Sequence, residues 1–312
     1  MIAETSSNAD MPKTSDSIRL VRRVTWIGLI VNVVLTILKF LAGVFAHSQV
    51  LIADAVHSLS DLVTDLAVLI GSRFWDQPAD EEHPNGHAKI ETLVTLFIGL
   101  ALTVVALELI RGAVHSLNGL IDGDSIPLPG SFALVAALIS IVLKEWLYRI
   151  TVRAGRKASS PAVMANAWHH RSDALSSIPA AAAVGICLIF GDRYTYLDPV
   201  GTILVSCMIL FAAVEIIRPA ISTLLDRGET KDKVNQIREV VGSFPEISGL
   251  HKIRTRPLGG GRFAVDLHIK VDPAMSVLTA HSLSHRVSDA LHRRIPDIVD
   301  VVAHVEPRDD PK

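Results

Sequence analysis

Six predominantly apolar stretches, at about 24 to 46, 50 to 75, 91 to 116, 130 to 152, 162 to 190 and 197 to 221, follow one another with mostly short polar connections. Each reaches the roughly 20 residues that a helix needs to cross the hydrocarbon core of a bilayer. The connection around His47 to Gln49 is barely a turn, which predicts antiparallel neighbours in a bundle. The second and fifth stretches are interrupted by histidine and aspartate.

After about Asp226 the pattern changes period. Val234, Ile237, Val240 and Val241 fall on one face of a helix predicted from Lys231 to Phe244, and a strand is expected from about His251 to Arg256. Gly259, Gly260 and Gly261 then mark a turn. From Arg262 to Asp272 the chain alternates, with Phe263, Val265, Leu267, Ile269 and Val271 on one face and Ala264, Asp266, His268 and Lys270 on the other. A helix from about Ser276 to Arg294 and a strand from Ile298 to Glu306 complete the order α-β-β-α-β. The expected fold is therefore a membrane six-helix bundle followed by a small soluble α+β domain. The expected boundaries are a disordered tail at 1–20, the bundle at 21–225, the α+β domain at 226–307 and a tail at 308–312.

Composition agrees with this division: of 312 residues, 49% are hydrophobic and 20% charged, more apolar than one soluble core requires. The first residues, through Ser17, are rich in Ser, Thr, Asp and Asn and lack the apolar core of a signal peptide. Basic residues mark the cytoplasmic side. Lys13, Arg19, Arg22 and Arg23 precede the first stretch; Arg73 and Lys89 flank the second connection; Arg149, Arg153, Arg156 and Lys157 crowd the fourth; Arg218, Arg227, Lys231 and Lys233 follow the sixth. The first and third connections have no Lys or Arg, and the fifth only Arg193, so both termini are expected in the cytoplasm. A formal net charge of −2 offers no electrostatic reason to expect nucleic acid as a partner. Cys187 and Cys207 each sit alone in an apolar run and read as small buried hydrophobes, with no disulfide framework implied.

Thirteen histidines change the picture. His57 and Asp61 are four residues apart in the second stretch, and His169 and Asp173 repeat that spacing in the fifth, so each pair lies on one helix face. Ionisable groups at bilayer depth cost at least ~2.5 to 3.5 kcal/mol apiece for Asp on insertion scales. Two imidazoles and two carboxylates make a nitrogen and oxygen set suited to Zn²⁺. The bland reading is interhelical hydrogen bonding or a metal-free proton relay. Asp54 and Asp65, without an echo in the fifth stretch, fit a structural or helix-orienting role equally well. In the second connection Asp80, His83 and His87 are spaced three and four apart, and Pro84 and Gly86 let a compact loop wrap an ion. In the soluble domain His251, His268 and His304 come from three strands, and Glu306 shares a face with His304 by period two. His285 and His292 read as helix-surface residues.

At these residues the chain resembles the cation diffusion facilitator family. The resemblance rests on the segment Leu-Ile-Ala-Asp-Ala-Val-His-Ser-Leu-Ser-Asp (51 to 61), the loop Asp-Glu-Glu-His-Pro-Asn-Gly-His-Ala-Lys-Ile-Glu (80 to 91) and the His169 to Asp173 motif, in that order, and covers about residues 20 to 307. It implies six transmembrane helices, a metallochaperone-like C-terminal domain, a homodimer, and proton-coupled export of divalent metal from the cytoplasm by a protein of the inner (plasma) membrane. Carried over by residue, the transport site is His57, Asp61, His169 and Asp173, and the loop site is Asp80, His83 and His87. The cytoplasmic-domain site draws on His251, His268, His281, His304 and Glu306, and Lys89 and Asp226 match an ion pair at the dimer contact. Histidine at 57 resembles zinc-preferring members, whereas a manganese-type member would carry Asp at 169. Glu306 replaces the Asp of some relatives, and no His-rich loop occupies Ala154 to Ser160, so the chain looks like a bacterial member.

Zinc leads as the cargo, with cobalt, iron, cadmium and nickel behind it, because imidazole and carboxylate serve several of these ions. Two readings from other classes are a membrane-embedded zinc hydrolase and a metal sensor or scaffold. A hydrolase keeps an open metal position, and here no His-Glu-x-x-His motif occurs and four candidate ligands leave no opening. The expectation is thus a transporter and not an enzyme, with metal ions, protons and the lipid bilayer as partners and no catalytic residues.

Overall fold

The computed structural model describes residues 15–75, 77–158 and 160–308. Most of the expected N-terminal tail and the last residues of the C-terminal one lie outside the described residues, as does the side chain of Asp65. Helix α1 (Ser15–Phe45) begins within the expected tail and continues the first stretch backwards through Arg19, Arg22 and Arg23. It is followed by α2 (Gln49–Trp75), α3 (Lys89–Ile121), α4 (Ser131–Lys157), α5 (Pro161–Ser176), α6 (Ile178–Phe190), a 3₁₀ turn (Asp192–Tyr194) and α7 (Leu197–Leu224). Among the described residues, five segments are long and apolar enough to cross a membrane: Arg19–Phe45, Lys89–Ile121, Ser131–Lys157, Val163–Phe190 and Asp192–Leu224. Helix α2, with its stripe of Asp54, His57, Ser58, Ser60 and Asp61, forms over the remaining stretch. The fifth stretch is broken in two at Ser177, where Pro179 removes a backbone donor from the first turn of α6.

The chain divides into two compact units, the first Met1–Asp65 with Ala101–Ala212 and the second Leu66–Leu100 with Ala213–Lys312. In the first, the core is made largely of alanine: Ala42, Ala46, Ala53, Ala106, Ala133, Ala136, Ala137, Ala180 and Ala183 pack with Leu51, Val184 and Ile209. Small side chains let helix backbones approach closely, which is how helices associate when lipid removes the hydrophobic drive between them. Gly43 shows the limit, since a Cβ there would stand 2.7 Å from Ile52 Cγ1. Helix α4 packs against α1 and α5 with its buried face of Ala133, Ala136, Ala137, Ser140, Lys144, Leu147 and Thr151. Outward, large apolar side chains such as Trp26 and Phe211 are exposed, as a lipid-facing surface requires. Asp198 of α7 sits at the start of α2, accepting the Ser48 hydroxyl and the Gln49 N–H at 2.6 Å each, a negative group where a helix leaves donors unpaired.

In the second unit, α8 (Lys231–Gly242) and α9 (Val277–Arg294) accompany a sheet of β1 (Gly249–Gly259), β2 (Arg262–Val271) and β3 (Ile298–Pro307) in the order β1-β2-β3. β1 and β2 form an antiparallel hairpin, and β2 pairs in parallel with β3 through the α9 crossover. Gly259, Gly260 and Gly261 all have positive φ, the left-handed backbone that glycine adopts without a Cβ clash. Phe263, Val265, Leu267, Ile269 and Val271 form one buried row against Ile237 and Val241 of α8 and Leu283, Val287 and Leu291 of α9. Ser276 caps α9 by accepting the Thr279 N–H at 3.1 Å. This is the expected α-β-β-α-β order, with β1 longer than its apolar pattern suggests because backbone pairing with β2 continues to the glycine turn.

Candidate metal sites

Helices α2 and α5 bring Asp61, His169 and Asp173 together in the first unit, with one potential ligand atom from each within 4.8 Å of the others. His169 Nδ1 lies 3.7 Å from Asp173 Oδ1. His57 is not in this trio, although it sits one turn before Asp61 and within electrostatic reach of it. Among the described residues its buried Nδ1 makes no hydrogen bond, and neither does the buried Asp61 Oδ2. Buried polar atoms are nearly always satisfied, so two orphans beside a carboxylate and imidazole cluster fit a cation that the four side chains would share.

The bundle also holds two buried lysines that the sequence reading passed over. Lys39 of α1 is fully buried and pairs with Asp54 Oδ2 at 2.9 Å, while its Nζ donates to Ser58 Oγ at 3.0 Å and Ser177 Oγ at 2.9 Å. Asp54 is thus held in a buried ion pair. Lys144 of α4 donates to Asp173 Oδ2 at 2.6 Å, with the two side chains 1% and 6% exposed. The two ion pairs engage Asp54 and Asp173, and among the described residues neither lysine forms an ion pair with Asp61. A cation inside an apolar run is itself an unfavourable insertion, and that cost was the clue to both lysines. Beside the cluster, buried His170 packs on α1, its Nε2 3.3 Å from where a Cβ on Gly28 would stand.

In the second unit Asp80, His83 and His87 also converge within 4.8 Å. The His83 N–H donates to Asp80 Oδ1 at 2.6 Å and the Gly86 N–H to the His83 carbonyl at 2.9 Å, which closes the loop, with Gly86 at positive φ. Asp80 Oδ2 lies 3.3 Å from His87 Nε2, and the two imidazole rings are 4.5 Å apart. The backbone N–H of His83, with the nearby imidazoles, holds the Asp80 carboxyl below the usual carboxylate range, so it is a ready anionic ligand. Lys89 and Asp226 form an ion pair at 3.1 Å within the chain, nearly half exposed on both sides.

The sheet register builds the last cluster. His251 pairs with His268 across β1 and β2, and His268 with His304 across β2 and β3, so three imidazoles stand in one row. A bulge with Lys252 at positive φ follows His251. Glu306 reaches back across the row: its Oε2 is 2.7 Å from His251 Nε2 and its Oε1 2.6 Å from His268 Nδ1. His251, His268 and Glu306 form a metal-sized group, with His304 beside it at 3.7 Å from Glu306 Oε1. His281 is separate from it within one chain; on the exposed face of α9 its Nε2 lies 3.1 Å from that of His285.

Residues 25–225 match the family described as the cation efflux transmembrane domain, and residues 230–308 the cation efflux protein, cytoplasmic domain. Metal tolerance protein C1 of Arabidopsis thaliana is 35% identical over 90% of this chain, which spans 61% of that relative's length. The manganese efflux system protein MneP of Bacillus subtilis (strain 168) is 29% identical over 94% of this chain and 98% of its own. Among solved structures, the metal-bound C-terminal domain of the CzcD transporter from Thermotoga maritima is 33% identical, covers 26% of this chain and 93% of that one, and has a TM-score of 0.25.

Proposed function

The chain belongs to the cation diffusion facilitator family, a family of divalent-cation transporters and not enzymes, and from that premise we propose that it exports Zn²⁺ from the cytoplasm in exchange for protons. It is a multi-pass membrane protein with a C-terminal cytoplasmic domain. The observation that carries the zinc reading is the meeting of Asp61, His169 and Asp173 between two membrane helices, beside the unbonded His57 nitrogen. In this reading His57, Asp61, His169 and Asp173 form the tetrahedral transport site, with imidazole at ~2.0 to 2.1 Å and carboxylate at ~2.0 to 2.2 Å from the ion. Ligation needs neutral imidazole, so metal arriving from the cytoplasm displaces protons, and protons arriving after reorientation compete for the same nitrogens and release it.

The Asp80, His83 and His87 loop serves as a second binding place, and His251, His268, His304 and Glu306 as a regulatory one in the cytoplasmic domain. In a homodimer His281 is free to reach a partner, which fits its position away from its own chain's cluster. The unit of function is a homodimer in the plasma membrane, with a transport domain at 21–225, a regulatory domain at 226–307 and both termini cytoplasmic. Manganese is the second reading, favoured by the likeness to the manganese efflux protein; the imidazoles of His57 and His169 weigh against it, since manganese suits oxygen ligands.

Flux into proteoliposomes tests the proposal. Zn²⁺ is expected to move against an imposed proton gradient, and Asp61→Ala to lower flux by at least about a hundredfold while leaving the protein folded. Zinc flux indifferent to the proton gradient would contradict proton exchange, and full flux in Asp61→Ala would contradict the site.

A further inference from the structure

We propose that Lys144 is a positioning residue that sets which metals the bundle site accepts, by occupying one oxygen of Asp173 and leaving only the other to the ion. This rests on the reading of Asp61, His169 and Asp173 as transport ligands. The two Asp173 oxygens have different neighbours: Oδ2 accepts from Lys144 Nζ at 2.6 Å, while Oδ1 faces His169 Nδ1 at 3.7 Å. Lys144 is delivered by the buried face of α4 that also carries Ala136, Ala137 and Ser140, and only 1% of its side chain is exposed. Asp54 does not compete for it, because Lys39 already pairs with that carboxylate. Ser177 ties the two pairs together, bonding Asp54 Oδ1 at 3.0 Å and the Asp173 carbonyl at 3.3 Å.

A carboxylate with one oxygen committed to a buried ammonium binds metal through a single oxygen. Asp173 then adds one ligand rather than two, which holds the site near four-coordinate. That number suits Zn²⁺, whereas ions that seek six or more oxygen-rich ligands draw on bidentate carboxylates to reach it. Outer groups that hydrogen-bond a ligating side chain are known to orient and tune it. Without the ammonium, Asp173 is able to rotate and chelate through both oxygens, and the site relaxes toward larger ions such as Mn²⁺.

The test is the ratio of kcat/KM for Mn²⁺ over Zn²⁺ in proteoliposomes made with the full chain. A ratio is insensitive to the fraction of protein that folds. Lys144→Leu and Lys144→Met, which leave Asp173 Oδ2 without a donor, are expected to raise it at least tenfold, while Lys144→Arg, which can still donate to that oxygen, keeps it within threefold of the parent. An unchanged ratio in both uncharged variants, or an equal rise in Lys144→Arg, overturns the proposal. If neither uncharged variant carries metal, a zinc-loaded structure of the parent protein decides: Lys144 on Oδ2 with one Asp173 oxygen on the ion supports it, and both oxygens on the ion overturns it. Absence of any metal flux in the parent protein would instead defeat the transporter reading on which the proposal stands.

Discussion

Lys39 and Asp54 neutralise each other where neither is exposed, and Ser58 and Ser177 complete the hydrogen bonds of the ammonium. Such a pair adds little net stability over apolar residues of equal volume, but removing one partner strands a buried charge at ~3 to 5 kcal/mol. Lys39→Met is therefore expected to destabilise the protein by about that amount, and Lys39→Met with Asp54→Leu to recover most of it, read by unfolding in detergent. The pair was not legible in the sequence. His57, Asp61, His169 and Asp173 announce themselves by repeating one spacing, whereas a lysine in an apolar run signals only the cost of its insertion and not what it pairs with. Its partner is a fact of packing: Lys144 and Asp173 are 29 residues apart and on different helices.

Among elements, the β1–β2 hairpin depends on backbone shape as much as on side chains. Gly259 has φ +101, and a Cβ there would stand 2.5 Å from the Ala88 carbonyl oxygen. Gly259→Val is expected to cost at least about 1 to 3 kcal/mol through backbone strain alone, and urea unfolding checks it. In the 80–87 loop, the depressed Asp80 pKa means that its contribution to loop order is present above the ordinary carboxylate value and lost only as pH falls through the lower folded one. Between pH 7 and 5.5 it therefore stays ionised and available as a ligand. Asp80→Asn is expected to weaken metal binding by the loop at every pH in that range, checked by metal titration. The strand alternation from Phe263 to Val271 was visible because period two is a local property, whereas the parallel pairing of β2 with β3 and the bulge after His251 are not. The register nonetheless joins the three histidines that local pattern had placed on separate strands, while His281 stands with His285 instead.

For the whole molecule, the two units place candidate metal groups in a membrane bundle and in a cytoplasmic domain, and ligand binding to the native state links each group to stability. Metal at a hundred times its Kd is worth about 2.7 kcal/mol, so a chelator should lower the unfolding temperature of the cytoplasmic domain within the full chain. His268→Ala should abolish most of that shift, because His268 contacts both Glu306 and the neighbouring imidazoles. The bundle was legible as a whole from length and hydropathy, but its fifth span hid a break at Ser177, where a serine and a proline inside an apolar run carry the turn between α5 and α6. Anomalous scattering from zinc-loaded protein tests directly whether one dehydrated cation is held between α2 and α5. An ion within about 2.2 Å of ligand atoms of His57, Asp61, His169 and Asp173 is the predicted result; saturating zinc confined to the 80–87 loop and the cytoplasmic sheet, with those four side chains bare, would contradict it.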